Sequence, residues 1–436
     1  MAKVEILNDD DSGDESAKGN NEQDKISKER EKRRLERIRK QSKSIYNRPE
    51  NKKQLSDHEI VANELESMYK TDKQKWLQSY RGSYLSIDLK QILIFLIAAP
   101  IVLGLFLLPF RDFRLYMITG VSLISWYVTV KLVPELKGYM LKCEIIGKDL
   151  NKTGSRDSKP PIPEAMGIIP AIIFLVGAIV IIGILDFSKD KILLFMSGLL
   201  CITFMILLGF VDDVVELKWK YKLILPFVAS IALLIVYDGI TSIVVPLPLR
   251  FIFGKILELG IFYKVYFVCL TIFCTNSINI HAGINGLEIG QTLVIASFTI
   301  LHNIIEIYRK ETEEIYENHM FSFAIMMPFM FTSLGLFKFS KFPSKIFVGD
   351  TYTTFAGIVF AVCAILGHFS KTLMLFFVPQ LINFLMSLPQ ILGFIYCPRH
   401  RMPSFDKESY KLNYVPNHFT LINATLRLCG PMNEEQ

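Results

Sequence analysis

Apolar residues are unevenly spread along this chain. Polar and charged residues dominate as far as about residue 85, and from Leu89 onward long apolar blocks alternate with short polar loops. About ten blocks approach the roughly 20 residues that a helix needs to cross a bilayer. They lie near 89–110, 115–133, 165–186, 191–211, 222–238, 262–280, 286–307, 319–337, 349–368 and 371–396. A backbone in hydrocarbon must satisfy its own hydrogen bonds, so each block is read as helix. Pro100, Pro170, Pro226, Pro328 and Pro379 interrupt several blocks, which membrane helices tolerate. The expected fold is an all-α integral membrane protein, a polytopic bundle of about ten transmembrane helices.

Composition agrees with this. Of 436 residues 51% are hydrophobic, too many for an ordinary soluble domain of this length. The net charge of +6 is modest, and the placement of Lys and Arg argues against a nucleic-acid partner. The segment at 1–85 reads as a solvated or disordered cytosolic tail, in which an acidic patch (Asp9 to Glu15) precedes the basic run KEREKRRLERIRK. The seven cysteines form no C-x-x-C pair and are expected to be buried small hydrophobes. The first apolar block starts too late for a cleavable signal peptide.

Orientation follows from the basic residues. If the tail is cytosolic and the blocks alternate, the cytosolic loops carry about 17 Lys and Arg against about 9 on the other side, which the positive-inside rule favours. Both termini are then cytosolic, and the sequons at Asn151 and Asn423 should be unused. The same topology puts five polar sequences on one face. They are DLNK with PIPEAMG (149–167), GFVDDVVELKWKYK (209–222), NSINIHAGINGLE (276–288), FVGDT (347–351) and CPRHRMP (397–403).

These loops hold residue types suited to a metal–pyrophosphate substrate. An Asp at a helix centre costs roughly 2.5–3.5 kcal/mol on insertion, so Asp212 and Asp213 belong at an interface or in a wet cavity. Phosphoryl transfer from a nucleotide sugar uses Mg²⁺ on the pyrophosphate, and Mg²⁺ takes a few oxygen ligands beside the phosphates. Asp212, Asp213, Asp350, Asn276 and Asn279 offer such oxygens, and capping or solvated helix ends explain each one equally well in isolation. Arg399, His400, Arg401 and Lys222 can anchor topology or clamp phosphate. His281 is expected to face the cytosol.

The combination LLGFVDDVVELKWKYKLILP, CTNSINIHAGINGLEIGQ, FVGDT, GHFSKTLMLFFVPQ and CPRHR resembles the eukaryotic branch of the polyprenyl-phosphate N-acetylhexosamine-1-phosphate transferase family, over about residues 115–428. The resemblance implies transfer of GlcNAc-1-phosphate from UDP-GlcNAc to dolichyl phosphate with release of UMP, the first committed step of the lipid-linked oligosaccharide for protein N-glycosylation. It also implies Mg²⁺, tunicamycin sensitivity and the cytosolic face of the endoplasmic reticulum. Asn279 and Asp350 match the family's Mg²⁺ ligands, and Asp212 and Asp213 its paired aspartates near the phosphates and the lipid nucleophile. Lys222 and Arg399 match phosphate-binding residues, and His400, Arg401 and Trp219 the GlcNAc-recognising loop and aromatic. Leu150, Gly283, Asn285 and Phe347 match the uridine pocket, and Glu164 an acidic residue close to the nucleotide. The block within 86–114 is an extra first helix relative to the animal enzyme. After CPRHR the family's last helix is missing, and 429–436 reads as a short tail. The partners expected are the two substrates, the bilayer and a second copy in a homodimer. A transporter, with polar groups in broken helices near the bilayer midplane, is the alternative from another class.

Overall fold

The computed structural model describes residues 112–436 except 148–161, 186, 216, 218, 238–240, 246, 248–249, 399–400, 407–408, 410 and 436. The expected tail at 1–85, the block at 89–110 and nearly all of the segment 86–114 lie outside the described residues.

The remaining apolar blocks are all helical. The bundle comprises α1 (Phe113–Lys142), α2 (Ile168–Ile184), α3 (Lys189–Val215), α4 (Trp219–Val236), the short α5 (Arg250–Phe253), α6 (Ile261–Ile280), α7 (Leu287–Arg309), α8 (Glu313–Ser340), α9 (Gly349–Leu366), α10 (Ser370–Phe376), α11 (Val378–Ile391) and the amphipathic α12 (Leu421–Cys429). Among the described residues six helices are long and apolar enough to cross a bilayer, and seven if α10 and α11, bent by 72°, are one span. Of the ten blocks expected, nine fall within the described residues, and by length and composition six or seven of these stand as spans. Helix α2 has 17 residues, just under the usual span. Helix α4 spends its first turn on Trp-Lys-Tyr-Lys, which shortens its apolar part. The last block breaks at Phe377, where Pro379 cannot continue the preceding hydrogen-bond ladder.

Three two-stranded antiparallel ladders interrupt the helical plan. They are β1 (Ile146–Gly147) with β2 (Ile162–Pro163), β3 (Ser242–Val244) with β4 (Ile256–Glu258), and β5 (Ser404–Phe405) with β6 (Leu412–Asn413). Leu412 is bridged in turn to Met432.

Lipid is as apolar as leucine, so close packing rather than hydrophobic transfer holds membrane helices together. Helix α9 is the centre of that packing. It is buried from Thr351 to Leu366 apart from Thr354, and it contacts α3, α6 and α8. Small residues permit the approach. A Cβ on Gly209 of α3 would lie 2.2 Å from Thr354 Oγ1 and 2.8 Å from the Asp350 carbonyl oxygen, so only glycine lets α3 close on the start of α9. Phe174, Phe329, Phe355 and Phe360 fill the middle with edge-on and tilted ring contacts. Several buried hydroxyls are satisfied within their own helices. Ser122, Thr129, Thr271, Ser297 and Thr299 each donate to the carbonyl four residues back. The outward faces of α1, α2 and α3 carry exposed Ile124, Ile172 and Leu207, as lipid-facing surfaces do.

All seven cysteines are free. Cys201, Cys274 and Cys363 are buried as expected, whereas Cys143, Cys269, Cys397 and Cys429 are exposed. Cys269 lies on the outer face of α6, where a small apolar thiol is as acceptable to lipid as to a core.

Candidate active site

The C-terminal ends of α3 and α6 and the N-terminal ends of α4 and α9 bring the expected polar residues together. Lys222, in the first turn of α4, is the hub. Its Nζ lies 2.6 Å from Asp212 Oδ2 and 2.6 Å from Asp350 Oδ2. Asn279, in the last turn of α6, donates to the other oxygen of Asp350 at 2.6 Å. Asp212 is 7% exposed and also accepts the backbone N–H of Leu217 at 2.9 Å. Two carboxylates thus converge on one cationic point, a strong arrangement because burial weakens screening.

The adjacent carboxylate does different work. Asp213 accepts from the backbone N–H of Asp350 at 2.6 Å, from that of Thr351 at 3.0 Å, and from the Thr351 hydroxyl at 2.5 Å. The first N–H groups of a helix have no partner inside it, and α9 has no capping side chain of its own. Asp213 supplies that cap from α3, and its negative charge suits the positive end of the α9 dipole. The geometry makes it a brace for Asp350.

Two cavities meet at this cluster. The larger, about 240 Å³, is lined by Glu164, Asn279, Gly283, Asn285, Phe347 and Asp350, among others. Five expected positions therefore share one cleft with Asp350. Its wall is built by backbone pairing: Phe347 N–H donates to the Pro163 carbonyl at 2.8 Å and Met166 N–H to the Phe347 carbonyl at 3.1 Å. The narrower cavity is about 20 Å³ and combines Asp212, Lys222, Asn276 and Asn279 with Leu208, Leu217, Leu225 and Pro226. Asn279 lines both. The Asn276 amide donates to the Ile272 carbonyl at 2.9 Å, which fixes the side chain on the cavity wall.

Leu150, Arg399 and His400 lie outside the described residues, as does the side chain of Trp219. Arg401 is described. Its Nη1 is buried without a hydrogen-bond partner, and burial lowers its pKa from the ordinary value. A buried guanidinium donor left unsatisfied is costly, and an anionic or polar ligand would relieve it. The neighbouring Met402 lines the larger cleft.

His281 does not face the cytosol; it is 9% exposed, and burial lowers its pKa. The reason is that it ends α6 under α7, whose Gln291 donates to the carbonyls of Ile278 and His281 at 3.1 and 2.7 Å. Those carbonyls would otherwise be orphans of the helix end. Sequence reasoning missed Gln291, Thr351 and Glu288 as residues that shape the site, although all three lie in or beside the quoted motifs. Glu288 Oε1 accepts the Gly283 N–H at 3.2 Å.

Among the described residues no three His, Cys, Asp or Glu side chains gather to hold a metal. The donor set that does gather is two carboxylates and an amide, all offering hard oxygens. Mg²⁺ uses only one or two protein carboxylates beside substrate phosphates. The point between Asp212 and Asp350 already accommodates the Lys222 ammonium, so the residues present fit a cation.

Membrane-spanning helices with acidic, basic and amide groups gathered at one end, where a polar cleft meets an apolar one, define a polytopic membrane protein with a polar site at the end of its bundle. Residues 195–368 match the glycosyl transferase family 4 profile. The chain is 46% identical over 329 residues to UDP-N-acetylglucosamine–dolichyl-phosphate N-acetylglucosaminephosphotransferase of Dictyostelium discoideum, covering 71% of this chain and 81% of that one. It is 36% identical over 387 residues to the protein of that name in Saccharomyces cerevisiae, covering 73% and 85%. Phospho-N-acetylmuramoyl-pentapeptide-transferase of Clostridium beijerinckii is a more distant relative, 29% identical over 229 residues and covering 50% and 65%. The chain belongs to the family of UDP-N-acetylglucosamine–dolichyl-phosphate N-acetylglucosaminephosphotransferases.

Proposed function

We propose that this protein transfers GlcNAc-1-phosphate from UDP-GlcNAc to dolichyl phosphate, releasing UMP. The observation that carries this reading is the Asp212–Lys222–Asp350–Asn279 cluster at the meeting of a polar cleft and an apolar-lined one. A nucleotide sugar needs the first, and the second, with room here for only a water-sized group, brings an apolar wall to the cluster along which a lipid phosphate would approach.

In this reading the cleft lined by Gly283, Asn285, Phe347 and Glu164 takes the uridine end, with Phe347 stacking on the base. Lys222 draws phosphate oxygens towards the cluster. An oxygen of the lipid phosphate attacks the β-phosphorus, the bond from that phosphorus to the bridging oxygen breaks, and UMP leaves with it. Asp212, beside both Lys222 and the apolar cavity, orients the lipid phosphate and takes a proton from it where one is present. Asp350 and Asn279 are the residues that would hold Mg²⁺, which when bound supplies neutralisation of the pyrophosphate charge. Asp213 acts through Asp350. Leu150, Trp219, Asn276, Arg399, His400 and Arg401 complete the substrate contacts.

The setting belongs to the same proposal: the endoplasmic reticulum membrane, the site and both termini on the cytosolic side, and a homodimer. The transporter alternative calls for its polar site midway through the bilayer, whereas this cluster sits where helices end. UMP release from detergent-solubilised protein, with UDP-GlcNAc and Mg²⁺ and with or without dolichyl phosphate, tests the reaction. Lipid-dependent release blocked by tunicamycin is expected. Folded protein that releases no UMP under these conditions contradicts the reading.

A further inference from the structure

The nucleotide cleft has a contributor far from its motifs. The loop 281–286, between α6 and α7, turns through Gly283 (φ +117°) and Gly286 (φ +83°), backbone conformations that favour glycine. Carboxylates take two of its N–H groups. Glu288, in the first turn of α7, accepts from Gly283 at 3.2 Å. Glu434 Oε1 accepts from Asn285 at 3.0 Å, across 149 positions of sequence.

Glu434 is held by more than this one contact. Leu412 and Met432 exchange backbone hydrogen bonds, with Leu412 N–H donating at 2.8 Å and Met432 N–H at 3.2 Å. Leu412 itself pairs with Phe405 in the β5–β6 ladder. Above that, His418 Nδ1 lies 3.0 Å from the carbonyl oxygen of Met402. Met402 is the nearest side chain that a Cβ on Gly283 would meet, at 3.5 Å. The segment after the last membrane helix therefore reaches the same loop twice, at Gly283 through Met402 and at Asn285 through Glu434.

We infer that Glu434 is a positioning residue for the nucleotide, fixing the Asn285 segment of the cleft wall through its carboxylate. This rests on the reading that the cleft lined by Gly283, Asn285 and Phe347 takes the uridine end of UDP-GlcNAc. A carboxylate on a backbone N–H is one of the stronger hydrogen bonds, and a bond between residues so distant in sequence confines a loop that its own glycines leave free. The consequence is specific. Loss of the bond loosens nucleotide binding and leaves the lipid side, where Asp212 of α3 and Lys222 of α4 sit away from the 281–286 loop, unchanged.

The experiment compares wild type with Glu434→Ala and Glu434→Gln, purified as full chains. UMP binding is measured by calorimetry, and steady-state KM is measured separately for UDP-GlcNAc and dolichyl phosphate. Glu434→Ala should weaken UMP binding and raise the UDP-GlcNAc KM by roughly five- to tenfold, less than a full charge-assisted hydrogen bond because the nucleotide feels it only through the loop. Its kcat should stay within about twofold and its dolichyl phosphate KM should not change. Glu434→Gln keeps an accepting oxygen and should lie closer to wild type. Unchanged UMP binding in Glu434→Ala, or an equal loss in both KM values and kcat, overturns the inference. If Glu434→Ala does not fold, Glu434→Gln decides: a small rise confined to the UDP-GlcNAc KM supports the inference, and unchanged UMP binding, or an equal loss in both KM values and kcat, overturns it. Wild-type protein that binds no uridine nucleotide contradicts the underlying functional reading instead.

Discussion

Asp213 in α3 holds the backbone N–H of Asp350 at 2.6 Å, so one carboxylate of the adjacent pair positions the residue that the other shares with Lys222. This ties catalytic geometry to helix packing. Replacing Asp213 by Ala removes the cap from α9 and should cost about 1–2 kcal/mol of stability. It should also lower kcat far more than it raises either KM, because Asp350 loses its register. Thr351→Val exchanges the hydroxyl for a methyl, keeps both backbone donors to Asp213, and should be milder on both counts. Apparent Tm and kcat of the two variants, measured side by side, check this order.

Gly349 is the hinge of the same contact. Its φ of +72° suits glycine, and a Cβ there would lie 2.1 Å from Asp213 Oδ2. Gly349→Ala therefore combines a left-handed backbone penalty of about 1–2 kcal/mol with a steric clash on the cap. A lowered apparent Tm with near-complete loss of activity is expected. A variant with wild-type Tm and rate would show that Asp213 need not touch the start of α9.

Asp350 and Asp212 should fail differently. Asp350→Asn is expected to raise the Mg²⁺ concentration needed for half-maximal activity or to abolish turnover, and an unchanged Mg²⁺ titration would remove Asp350 from the ligand set. Asp212→Asn should slow turnover by roughly 10²- to 10⁴-fold if the carboxylate takes a proton. A wild-type rate would leave Asp212 as a structural partner of Lys222.

The sequon at Asn423 should carry no glycan. Its side chain is 0% exposed and accepts the Val415 N–H at 3.1 Å while its amide donates to Thr420 Oγ1 at 3.1 Å. Burial here and the expected cytosolic location of this segment point the same way. A mobility shift on endoglycosidase treatment that maps to Asn423 would contradict both.

Much of the fold was legible because membrane helices are written in composition. The block expected at 262–280 is Ile261–Ile280, and that expected at 349–368 is Gly349–Leu366. The break at Phe377 was harder, since apolar residues run through it and only Pro379 marks it. The two-residue ladders have no periodicity to detect. At the site, Asp212, Lys222 and Asp350 were singled out because ionisable groups at membrane-helix ends stand out, and Asn279 because an amide there can offer an oxygen. The division of labour between Asp212 and Asp213 was not legible, because adjacent aspartates differ only in which distant residue each one meets. Glu434 was hidden for the same reason: it lies in a short polar stretch, and its partner Asn285 is far away in sequence.

The most direct test of the central claim follows the phosphorus atoms. UDP-GlcNAc labelled at either the α- or the β-phosphate is incubated with the purified protein, dolichyl phosphate and Mg²⁺, and the organic and aqueous phases are separated. Transfer of GlcNAc-1-phosphate predicts that the β label moves into the lipid phase while the α label stays in the aqueous phase as UMP. Both labels remaining together in aqueous UDP, with sugar alone in the lipid, would contradict the account.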